Sequence, residues 1–122
     1  MDNNDFASRR KHARHTLGST VDVIDRTTGE SVGSIANLSL EGLMLVNSQP
    51  LTTDSLYQLK LLVEEGVIPA QPASEICVGV DCLWTSPGMP SHESIFWSGC
   101  QIIDIADEDF ELIRLLLDSA VE

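Results

Sequence analysis

The chain has 122 residues, 43% of them hydrophobic, enough for one modest core and too short for a second. Nineteen Asp and Glu stand against seven Lys and Arg, a formal charge of −12. That balance speaks against a general binder of nucleic-acid polymers, which carries a basic face over a whole domain.

The N-terminus, Met1-Asp2-Asn3-Asn4-Asp5, has no apolar run behind a basic start, and no stretch reaches the length of a bilayer span. Neither a secretory leader nor membrane insertion is expected. Residues 1–8 are too polar to pack and read as a flexible tail. Arg9-Arg10-Lys11-His12-Ala13-Arg14 follows and holds four of the seven cations. Their mutual repulsion would be relieved by an anion, and arginine suits phosphate and the guanine edge.

Residues 16–26 read as a strand, with Val21, Val23 and Asp25 alternating against Thr20, Asp22 and Ile24. Thr27-Thr28-Gly29-Glu30 is a turn, and residues 31–36 return as a second strand in a hairpin. Asn37-Leu38-Ser39-Leu40-Glu41-Gly42 interrupts the pattern as a bulged or looped corner. Its Asn and Ser side chains compete for backbone hydrogen bonds, and Gly42 admits a backbone that other residues resist. Strands are expected at 43–46, 55–63, 75–85 and 95–105, with an aperiodic loop at 64–74 and a turn at 86–91. Strict alternation in the fifth strand puts Val78, Val80, Cys82 and Trp84 on one face. A helix is expected from Asp107, its cap, to about Ala120, with Phe110, Ile113, Leu116, Leu117 and Ala120 as its apolar stripe. The simplest assembly is all-β dominated: six antiparallel strands closed into a barrel, with one C-terminal helix packed on it.

Cys77, Cys82 and Cys100 are odd in number and lack paired spacing, which reads as buried, reduced thiols of a cytoplasmic protein. With His92 they match no zinc pattern. No motif activates a serine nucleophile, and no glycine-rich phosphate loop is present. No catalytic residue, metal or cofactor is assigned. Taken singly, the basic cluster also reads as a solvated tail, and Asn37 and Ser39 as ordinary turn residues.

Taken together, Arg10-x-x-x-Arg14 before the first strand and Asn37-x-Ser39-x-x-Gly42 after the second resemble the signature of PilZ domains, bacterial receptors for cyclic di-GMP. Gly99-Cys100-Gln101-Ile102-Ile103-Asp104 is similar to the family's closing strand, and the strand order and terminal helix also fit. The resemblance implies a PilZ domain at 9–122 that binds cyclic di-GMP. Arg10 and Arg14 would fork onto guanine or phosphate. Asn37 would read the guanine Watson–Crick edge, Ser39 would hydrogen-bond the ligand, and Gly42 would hold the corner. Arg9, just ahead of the motif, implies a stacked pair of ligand molecules, and Lys11 a further phosphate contact. Trp84 lies where similar compact members carry a tryptophan near the ligand, although its alternation also allows a place in the core. The resemblance implies a receptor and not an enzyme. It would be monomeric, its basic arm folding onto the barrel when nucleotide binds and signalling to a protein partner that the sequence does not identify. The alternative is a PilZ-like interaction module that binds no nucleotide.

Overall fold

The computed structural model describes residues 20–89 and 92–119. Among the described residues six strands, β1 (Asp22–Asp25), β2 (Ser31–Leu38), β3 (Gly42–Asn47), β4 (Ser55–Val63), β5 (Ser74–Met89) and β6 (His92–Ile105), precede one helix, α1 (Asp107–Ser119). The strands close into a barrel in the order β1-β2-β3-β6-β5-β4, with every neighbouring pair antiparallel. The fold expected from the sequence is the fold observed.

Side-chain alternation fills the barrel. Val21, Val23, Leu38, Leu45, Leu59, Leu61, Ile76, Val78 and Val80 point inward and are fully or almost fully buried. Helix α1 adds Ile113 and Leu116 to the same cluster, with Leu112, Leu115 and Leu117 packed at its margin. Asp107 is the first residue of α1 rather than its cap, because the amide of Phe110 donates to the carbonyl of Ala106. Asp107, Glu108 and Asp109 thus fill the first turn, where their charge complements the helix dipole.

Three departures from local pattern shape the outer surface. Strand β2 continues through Asn37 and Leu38, past the expected break, because a bulge at Ala36 lets Asn37 pair with Met44 and Leu38 with Leu43. In β5 a second bulge at Leu83 separates the pairs Cys82–Cys100 and Trp84–Gly99. The extra residue reverses the alternation beyond it. Trp84 therefore leaves the face it was expected to share with Val78, Val80 and Cys82 and stands outside, 40% exposed. Third, the turn-rich stretch after Thr85 is strand up to Met89, which pairs with His92. Pairing with β6 overrides the local preference of Pro87 and Gly88 there. The expected loop at 64–74 is observed across Glu64–Ala73, anchored by the buried Ile68.

The core holds one polar thread. Ser98 donates to Asn47 Oδ1 at 2.7 Å, Asn47 Nδ2 donates to the carbonyl of Val32, and Thr85 and Ser98 hydroxyls lie 3.2 Å apart. The thread joins β2, β3, β6 and β5, and both Asn47 and Ser98 are buried. Removing one partner strands the others away from water. Asn47→Ala should therefore lower the unfolding free energy by about 2–4 kcal/mol in a denaturant titration.

Candidate ligand-binding site

Outward positions on four adjacent strands fall in one row. Asn37 on β2 pairs with Met44 on β3, Met44 with Gly99 on β6, and Gly99 with Trp84 on β5. With neighbouring strands about 4.8 Å apart, the row runs about 14 Å across the barrel surface. Gly99 is the low point. A methyl group there would collide with the indole of Trp84, so the ring lies directly over the glycine.

At the other end, the Oδ1 of Asn37 is shielded from water and has no hydrogen-bond partner among the described residues. A buried acceptor left without a donor costs about 1–3 kcal/mol, so this oxygen is primed for an incoming N–H. The row thus offers an aromatic plane at one end and an unmet acceptor at the other.

The turn beside Asn37 is held by Ser39. Its hydroxyl accepts from the amides of Glu41 at 3.3 Å and Gly42 at 3.2 Å, and donates to the Gly42 carbonyl at 3.3 Å. The Ser39 amide donates to the same carbonyl at 2.9 Å. One donor and two lone pairs are all that a hydroxyl has, and Ser39 uses them inside the turn. Gly42 is needed for a different reason from the one its turn position suggests. Its backbone is not left-handed; instead, a side chain would run into the Cys100 carbonyl of the adjoining strand.

Of the candidates named from sequence, Asn37, Ser39, Gly42 and Trp84 are described, and Asn37 and Trp84 share the row. Arg9, Arg10, Lys11 and Arg14 lie outside the described residues. The remaining cations are Arg26, Lys60 and Arg114, and the latter two pair with Glu75 at 3.4 Å and Glu111 at 3.1 Å. Sequence reasoning missed Met44 and the seat at Gly99, which only the pairing register reveals. The cleft lined by Glu30, Ser31, Val32 and the 48–51 segment lies at the opposite end of β2 and contains none of the candidates. Among the described residues no group of three or more His, Cys, Asp or Glu could hold a metal ion.

Beneath the row, Cys82 and Cys100 face each other inside the barrel. Burial, and then the neighbouring Cys82 thiol, push Cys100 up from 9.0 to about 12. Burial also raises Cys82, against the lowering effect of hydrogen bonds to Cys100 and the Trp84 carbonyl. Reactivity needs the thiolate, so both are poor nucleophiles, whereas Cys77 is only half-buried.

A family model described as the PilZ domain matches residues 8–119. No curated protein matches the sequence. Among solved structures, the PilZ domain of YcgR from Escherichia coli with c-di-GMP aligns at TM-score 0.68 and 10% identity, over 92% of this chain and 91% of that one. The Bacillus subtilis inhibitor of motility, MotI/DgrA, aligns at 0.68 and 16% identity, over 90% of this chain and 50% of that one. The MrkH–c-di-GMP complex of K. pneumonia aligns at 0.69 and 22% identity, over 90% and 52%. The chain spans about half the length of MotI/DgrA and MrkH, and at these identities the likeness is one of fold.

The thiol environments carry an expected pH dependence. The folded chain keeps Cys100 protonated where the unfolded chain ionises it, so this contribution is whole below pH 9 and is lost as pH rises toward about 12. The slope is about 1.4 kcal/mol per pH unit. Cys100→Ala lacks this loss, so the stability gap between wild type and variant should narrow across that range in urea titrations. Under native conditions a maleimide should label Cys77 well before Cys82 or Cys100.

Proposed function

The chain belongs to the PilZ domain family, and on that premise we propose that it is a receptor for cyclic di-GMP, with no catalytic role of its own. The observation that carries this reading is the unmet acceptor of Asn37, set in one row with the indole of Trp84. Guanine presents N–H donors along its Watson–Crick edge and a flat ring to stack, so the two guanines of cyclic di-GMP can serve the two ends of such a row. Stacking on an aromatic side chain contributes about 1–3 kcal/mol per base.

The two phosphates need cations, and none of the described ones stands in the row. Lys60 and Arg114 have carboxylate partners, and Arg26 belongs to the turn after β1. The basic arm supplies them: Arg10 and Arg14 fork onto guanine or phosphate, and Lys11 adds a phosphate contact. Arg9 takes part in holding a second, stacked nucleotide. Ser39 acts by keeping the turn in shape and Asn37 in place, and Gly42 lets that turn lie close to β6. Ordering the arm costs about 1–2 kcal/mol of backbone entropy per residue, offset by charge-assisted hydrogen bonds. The ordered arm is then a surface that a protein partner reads. A reduced cytoplasm is the compartment that suits three free cysteines.

A thermal-shift series tests the reading. Cyclic di-GMP should raise the melting temperature of the wild type, while GTP and cyclic di-AMP should not. Arg14→Ala should abolish the shift. Asn37→Ala should weaken binding about tenfold or more, yet leave the free protein as stable as before or slightly more so, because the orphaned acceptor is gone. An unchanged cyclic di-GMP shift in both variants would refute the assignment.

A further inference from the structure

We propose that the outer face of β4, β5 and β6 around Asp81 docks a protein segment bearing both aliphatic and cationic side chains. The proposal stands independently of the nucleotide reading. Leu56, Leu83 and Ile103 are 68%, 47% and 52% exposed, unusual for large aliphatics on one side of a sheet. Their placement follows from the register. Leu56 pairs with Asp81, and Asp81 with Gln101. Leu83 lies two residues further along β5, and Ile103 two residues along β6 from Gln101. Both are the extra residues of β-bulges, Leu83 between Cys82 and Trp84 and Ile103 between Ile102 and Asp104. Bulges re-aim side chains, and these two aim aliphatic groups at solvent.

Asp81 is half-buried among them. Asp54, whose amide donates to the Cys82 carbonyl at 2.7 Å, and Asp104, next to Ile103, add exposed carboxylates at opposite margins. Among the described residues the ion pairs are Lys60–Glu75 and Arg114–Glu111, so none of the three aspartates has a described cation beside it. The patch is therefore apolar in its contacts and negative in its field.

That combination selects the occupant. A second copy meeting through this same face would set Asp81 and Asp104 against their own counterparts. An anionic lipid surface is disfavoured on the same ground. A purely apolar partner would cover Asp81 without neutralising it, which is costly. A segment with Lys or Arg set over Asp81 and aliphatic groups over Leu56, Leu83 and Ile103 meets both demands. Because the barrel is closed, this face has no free strand edge, and the partner must bind through side chains, as a helix or loop laid across the sheet.

The test uses the full chain and a fluorescently labelled amphipathic helix of leucine and lysine, followed by anisotropy. Two control peptides replace its leucines with serine or its lysines with glutamate. The leucine–lysine peptide should bind the wild type, and Leu56→Ser and Asp81→Lys should each weaken it about tenfold or more. Leu83→Ser is a second aliphatic probe on a different strand. Equal affinity for the serine-substituted peptide would reduce the interaction to bulk charge and overturn the proposal. So would affinity unchanged in Leu56→Ser and Asp81→Lys. Self-association in sedimentation velocity that Leu56→Ser abolishes would assign the face to a second copy instead.

Discussion

A pleated strand has two faces, and one extra residue exchanges them for everything beyond it. This chain uses that constraint at both ends of its candidate site. At Ala36 the bulge keeps Leu38 inside the barrel and turns Asn37 outward; at Leu83 it keeps Cys82 inside and turns Trp84 outward. Without the first, an amide would enter an aliphatic core. Without the second, the indole would have to displace packed side chains near Cys100. The row from Asn37 to Trp84 exists because both bulges are present, and Gly99 and Gly42 let it lie flat against β6.

Charge is divided as sharply as the faces. The barrel is acidic almost throughout, while four cations are gathered in residues 9–14. A barrel of this sign repels a doubly charged nucleotide at a distance, although screening confines the repulsion to about 8 Å at physiological salt. On the reading proposed above, recognition would divide into two parts: the row would contribute stacking and an acceptor, and the arm neutralisation. The same acidity bears on the outer face near Asp81, where aliphatic exposure and carboxylates with no described cation partner are the basis for the proposed cationic amphipathic partner. Trp84 directly follows Leu83, so the ligand row and this second face adjoin along β5.

Much of this was legible in the sequence, for physical reasons. Strand β4 and helix α1 have periodicities that burial enforces, so Leu59 and Leu61, or Ile113 and Leu116, announce their own positions. The Asn37–Gly42 stretch marked a corner through residue types that favour local hydrogen bonds, and Ser39 makes them. What stayed hidden depends on distant partners. Nothing local about Ala36 or Leu83 marks an extra residue, so alternation placed Trp84 beside Cys82. Pro87 and Gly88 spelled a turn that pairing with β6 overrides. Gly42 resembled a residue chosen for its backbone freedom, whereas its real constraint is the Cys100 carbonyl 58 positions away in sequence. The buried thread from Asn47 to Ser98 could not be foreseen, since each residue alone has an ordinary exposed role.

The most direct test is a titration of isotope-labelled protein with cyclic di-GMP at moderate salt, following the Asn37 side-chain amide and the Trp84 indole N–H. Both signals should move, saturably and with the same midpoint, as the nucleotide occupies the row from end to end. If the nucleotide binds while both signals stay fixed, or if it does not bind at all, the row is not the site.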